Sequence, residues 1–272
     1  MRVTRRNLLK LSAVTAGAAI VGAGGGYALF HNPDPLADFY ASAQEVLGVR
    51  VGRERASELI QSIRDEYEAL SPQVPYIGGD QNAFTEWLTY GAYYLAVYRV
   101  LQVQGHSLEQ VGCIIYDTYE TMADYPVWML RLVGGLKYGE GYVKQLREAA
   151  ALSQERRYPG DWVCTFVEGD GETFDHGLDV SECGICKFYD AQGAGELAPY
   201  MCLSDYVVSC AFDRGLVRYR TVAEGADVCD FRFRKGRETF VYPLRNGWPP
   251  GFMGAGQESS RSWRPDPVGC GS

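Results

Sequence analysis

The chain reads as an α+β protein, an N-terminal helical bundle portion packed on a small antiparallel sheet with two inserted helices. Three observations predict this. Apolar residues recur at three- and four-residue spacing through residues 53–155. Alternating strand-like segments, bounded by Gly- and Asp-rich turns, begin only after residue 160. Two short helical patterns interrupt those segments, and helices followed by an antiparallel sheet make α+β rather than α/β.

The helices come first. In residues 53–70, Ala56, Leu59, Ile60, Ile63, Tyr67 and Leu70 form one stripe with charged residues between them, and Ser71-Pro72 ends it. A second helix over 82–104 repeats Phe84, Trp87, Leu88, Leu95, Tyr98 and Leu101 and stops at Gly105. A third starts near Ser107, turns Val111, Ile114, Ile115 and Met122 inward, and is broken by Pro126. A fourth spans about 138–155. The many tyrosines of this half, Tyr90, Tyr93, Tyr94, Tyr98, Tyr116 and Tyr119 among them, fit helix core with hydroxyls at the rim. The alternative is an apolar wall over a small substrate.

In the sheet half, residues 162–167 are apolar on both faces and predict a buried strand. Glu168-Gly169-Asp170-Gly171 turns the chain into a return strand over 174–180, with Phe174, His176, Leu178 and Val180 on one face. Residues 216–222 and 228–234 predict a second hairpin around a Gly-containing loop. Between the hairpins, helices are expected over 182–191 and 199–212, with Pro199 in a first turn.

Thr4-Arg5-Arg6-Asn7-Leu8-Leu9-Lys10, followed by the Ala/Gly-rich apolar run 11–30, resembles a twin-arginine export signal. The expected organisation is therefore a signal over 1–30, one domain over 36–240 (helical part 36–158, sheet part 160–240) and an extended tail over 241–272. The resemblance implies the twin-arginine machinery as a partner and a location in the periplasm or on the outer face of the cell membrane. An uncleaved signal would anchor the protein through residues 11–30; Ala41-Ser42-Ala43 fits a small-residue cleavage pattern further on. The formal net charge of -8 repels phosphate backbones, so no nucleic-acid partner is expected.

Five of the eight cysteines fall within residues 179–234: Cys183, Cys186, Cys202, Cys210 and Cys229. Cys183 and Cys186 share a face at a helix start, where backbone N–H groups stabilise a thiolate. Cys202 and Asp205 have the same spacing on the next helix. Three readings fit. An even cysteine count in an exported chain suits a disulfide framework. Cys183, Cys186, Cys202 and Cys229 suit a thiolate-bound metal such as zinc, although a second close pair is missing. A nucleophilic cysteine beside a carboxylate suits attack on an electrophilic carbon, with Asp205 moving the proton. Cys113, Cys164 and Cys210 sit in apolar segments, as buried free thiols do.

One segment adds a resemblance. Cys183 follows a strand; Gly193-Ala194-Gly195-Glu196-Leu197 and Cys202-Leu203-Ser204-Asp205 come next; Thr221, Gly225 and Cys229-Asp230-Phe231 close the pattern. In order and spacing this resembles the L-2-amino-thiazoline-4-carboxylic acid hydrolase family, over 179–234, with weaker helical similarity back to about 80. The resemblance implies hydrolysis of a C–N or C–S bond in a small cyclic amidine, thiazoline or amide. On this reading Cys202 or Cys229 is the nucleophile, Asp205 the proton carrier and Cys183 a partner thiol; His176 either assists from the strand beside Cys183 or is a core histidine bonded to a backbone carbonyl. The rival expectation is a non-hydrolytic metal- or redox-binding protein built on the same thiols.

Overall fold

Helix α1 (Ala37–Val51) and helix α2 (Arg53–Leu70) meet at Gly52, whose φ of 85° turns the chain back on itself. The computed structural model describes residues 36–239; the signal-like segment and the tail lie outside them. The α2 stripe is as the spacing predicts, with Ala56, Leu59, Ile60, Ile63 and Leu70 buried. Helix α3 (Thr85–Val103) is the centre of the bundle. From Gly91 to Tyr98 every residue is buried, because α2, helix α4 (Leu108–Met122) and the sheet-side helices cover it all round. A reciprocal capping box between Ser107 and Gln110 opens α4.

Two helices escape the period. α1 is clamped between α2 and α4, so its apolar residues do not fall in a single stripe. Helix α5 (Val127–Lys137) leaves Trp128, Leu132 and Leu136 exposed and shows apolar residues on both faces. Pro126 does not break α4, which ends at Met122; it starts α5. Helix α6 (Glu140–Ser153) completes the helical half. Ala41-Ser42-Ala43 lies inside α1 with Ser42 and Ala43 buried, so the folded chain does not present it as an extended peptide to a processing enzyme.

The sheet is antiparallel in the order β1-β2-β4-β3, from β1 (Val163–Glu168), β2 (His176–Glu182), β3 (Leu216–Val217) and β4 (Cys229–Phe233). Register sets Cys164, Val180 and Cys229 side by side, with Phe166, Leu178 and Phe231 in the next row of the same face. That face meets the helices. The other carries Thr165, Asp179 and Arg232, the last two ion-paired at 2.8 Å. β1 is accordingly an edge strand with Thr165 exposed, not a strand buried on both faces. Its outer edge is occupied at Cys164, whose N–H donates to Ser153 Oγ at 3.0 Å and whose C=O accepts from Ser153 Oγ and Gln154 Nε2.

The second hairpin forms with a shorter first strand than the pattern suggests. After Val217 the N–H groups of Tyr219 and Arg220 donate to the Asp230 carboxylate at 3.0 and 2.8 Å instead of to a strand partner. Between β2 and β3 stand helices α7 (Gly184–Ala191), α8 (Ala198–Cys202) and α9 (Ser204–Ala211); the expected single helix over 199–212 is divided at Leu203. Gly112 in α4 lets α8 approach, since a Cβ there would lie 2.0 Å from the Tyr200 ring. One apolar cluster runs from Leu36 through the bundle to Trp162, Val180, Phe188 and Cys229, so helices and sheet share a core. Among the described residues no helix is long and apolar enough to cross a membrane.

Candidate active site at the end of the central strand

β2 delivers the first thiol. Cys183 follows Glu182 directly and is the N-cap of α7, in extended conformation (φ -107°, ψ 122°). The turn is fixed by Gly184, whose missing Cβ would otherwise meet the Trp162 ring at 2.5 Å. Lys187 ties the same corner, donating to Asp161 C=O at 2.7 Å and pairing with Glu182 at 2.6 Å. Cys186 stands one turn into α7, Cys202 ends α8, and Cys229 opens β4 opposite Val180. Cys186, Cys202 and Cys229 each feel the charge of Cys183, which puts the four thiols in one electrostatic neighbourhood.

They are not equivalent. Cys183 is held below the ordinary thiol range by the Cys186 thiol that donates to it, and by the N–H groups of Cys186 and Ile185, against the opposing effect of burial. Cys186, which gives that hydrogen bond, is pushed up. Burial pushes Cys202 well up despite the Arg218 guanidinium nearby. Burial also raises Cys229 to about 11, although Val222 N–H donates to its sulfur at 3.2 Å. Of these four thiols, Cys183 is the one whose surroundings favour the thiolate. At near-neutral pH, iodoacetamide should label Cys183 ahead of Cys202 and Cys229, as read by peptide mass mapping of a short time course. Initial labelling of Cys202 or Cys229 would overturn that order.

Sequence reasoning missed Arg218, which is 1% exposed. Its guanidinium sits 4.8 Å from the ring centres of both Tyr206 and Phe231. It donates to Asp205 Oδ2 at 2.6 Å and to Cys202 C=O at 2.8 Å; Nε makes no hydrogen bond. Asp205 and Cys202 are thus joined through one buried cation rather than by sharing a helix face. The carboxylate expected to carry a proton is engaged as a counter-ion. The alternation Leu216, Arg218 on the apolar side of a short strand was the available signal.

His176 does not join the thiols. It opens β2, opposite Phe233, seven residues before Cys183, about 20 Å of extended chain. Its ring stacks on Phe233 at 5.2 Å, and burial, followed by the charge of Arg214, lowers its pKa. The aromatics divide. Tyr93 and Tyr98 are core, their hydroxyls bonded to Phe39 C=O and to Glu196. Tyr119 stacks on Tyr94 at 5.4 Å and feels the Asp205 charge, while Tyr189 feels Cys183, Cys186 and Cys202. These phenols border the thiols.

The remaining motif residues build the frame. Gly193 (φ 67°) lets the chain leave α7, and Glu196 accepts from Tyr98 Oη at 2.7 Å. Thr221 C=O receives the N–H groups of Glu224 and Ala226 across the Gly225 turn. Six cysteines, Cys113, Cys164, Cys183, Cys186, Cys202 and Cys229, are free, so the described thiols do not form a disulfide framework among themselves. Cys210, expected as a free buried thiol, is disulfide-bonded. Among the described residues no three His, Cys, Asp or Glu side chains are grouped to hold a metal ion.

The sequence model of the L-2-amino-thiazoline-4-carboxylic acid hydrolase family matches residues 129–233, from α5 through β4. No curated protein and no solved structure matches the chain.

Proposed function

We propose that this chain is a cysteine-dependent hydrolase acting on a small cyclic amidine or thiazoline carboxylate, with Cys183 as nucleophile. The family match over 129–233 supports the reaction class. The observation that carries the residue assignment is the N-cap position of Cys183, at the positive end of α7, where its surroundings lower the thiol's pKa.

In this reading the Cys183 thiolate adds to the sp² carbon between the ring heteroatoms, and the π electron pair moves onto nitrogen. The adduct expels one ring heteroatom, which takes a proton from water. Water then cleaves the new carbon–sulfur bond and restores the thiolate, so the net change is hydrolysis. Arg218 and Asp205 hold the α8–α9 corner, and Tyr119 and Tyr189 flank the reacting carbon. Incubating the purified protein with a panel of thiazoline and cyclic amidine carboxylates, read by mass spectrometry of the ring-opened products, tests the class. No ring opening of any member would sink it.

Export is part of the same proposal, supported by Arg5-Arg6 ahead of the apolar run 11–30. The expected result of replacing both arginines with lysine is retention in the cytoplasm, scored by cell fractionation. Undiminished appearance in the periplasm or on the outer face of the cell membrane would reject the signal.

A further inference from the structure

The hydrolytic step uses one thiol of the Cys183-Gly184-Ile185-Cys186 turn and leaves its partner unspent. Cys186 is placed where a resolving cysteine belongs. It is the third residue of α7, on the same side as the N-cap Cys183, and each thiol shifts the titration of the other. Both side chains are half-buried rather than sealed, and both are free thiols. Cys202 and Cys229 stand on other elements, α8 and β4, whereas this pair needs only a small closing rotation within one helical turn. The corner itself is rigid, because Gly184 is pressed against Trp162 and Lys187 is fixed to Asp161 and Glu182.

We infer that Cys183 and Cys186 form a redox-active dithiol that exchanges with low-molecular-weight disulfides of the glutathione class. The Cys183 thiolate attacks one sulfur of the incoming disulfide; the sulfur–sulfur bond breaks, a mixed disulfide forms on Cys183, and one small thiolate leaves. Cys186 gives its proton to water and attacks the Cys183 sulfur. The intramolecular bond forms and the second small thiolate leaves. Two electrons pass from the protein dithiol to the small disulfide, and two small thiols are the products. Excess reduced thiol runs the exchange backward. The activity stands on the thiol pair alone and not on the hydrolase reading.

Oxidised glutathione added to the reduced full chain, followed by alkylation and peptide mapping, tests it. The expected product in the unmodified protein is a disulfide linking Cys183 and Cys186 within one peptide. Cys186→Ser should stop at a glutathione adduct on Cys183, because nothing resolves it. Cys183→Ser should slow modification of the peptide by at least tenfold. A lasting glutathione adduct on Cys183 of the unmodified protein would overturn the inference, and so would a disulfide joining Cys183 to Cys202 or Cys229. The mapping on the unmodified protein does not depend on how either variant folds.

Discussion

Cys183→Ser should lower turnover of any ring-opened substrate by ~10⁴-fold or more, the scale seen when an enzyme loses its nucleophile. The reason is local. The N–H groups of Ile185 and Cys186 and the Cys186 thiol stabilise a charge on sulfur, but a serine hydroxyl stays protonated there, and His176, at the far end of β2, is not placed to take its proton. Cys202→Ser and Cys229→Ser should cost far less, because burial keeps both thiols protonated near neutral pH. Steady-state kinetics on the three variants, with folding checked by circular dichroism, separates them. Full activity in Cys183→Ser, or its loss only in Cys202→Ser, would return the nucleophile to α8. The same logic gives a pH dependence. A thiol held below its unfolded value contributes stability above that value, and the contribution is lost as pH falls through the folded value. Activity resting on the thiolate should fall on the same acid limb.

The second large effect is on stability. Asp205→Asn leaves the Arg218 guanidinium, 1% exposed, without its anion. Breaking a buried pair from one side typically costs ~3–5 kcal/mol. Asp205 is itself 42% exposed and water reaches it, so the low end of that range applies. About 3 kcal/mol corresponds to ~6–12 °C in Tm for a domain of this size. Arg218→Met in the same chain should recover most of the loss, because a buried cation with no partner is then removed. Differential scanning calorimetry of the single and double variants decides the matter. An Asp205→Asn protein melting with the unmodified chain would show that Arg218 is satisfied without the carboxylate. If turnover collapsed while Tm stayed put, Asp205 would carry the proton after all.

Much of the architecture was legible because solvent lies on one side of it. The α2 stripe shows the helical period because its other face is wet, and the same holds for α4 and α6. α1, enclosed between two helices, and α5, apolar on its exposed side, lack that contrast. The sheet's alternation gave the strands, but not the early end of β3, which the Asp230 side chain imposes by taking two backbone donors. Within the site, the Cys183/Cys186 spacing was readable because helix geometry alone puts the two thiols together. Arg218 was not, because an arginine in a sequence reads as surface until the ring of Phe231 and the carboxylate of Asp205 arrive from elsewhere in the chain.

Each border of the sheet is interrupted by side chains. At β1, Ser153 and Gln154 occupy the outward N–H and C=O of Cys164. At β3, the border is two residues long, and past it Asp230 holds the N–H groups of Tyr219 and Arg220. An intruding strand from a second molecule therefore meets an interruption on each border where it would zip on. Losing Ser153 or Asp230 would remove one of these interruptions, so strand addition should become easier in chains in which α6 has come away from β1 or the Asp230 turn has opened.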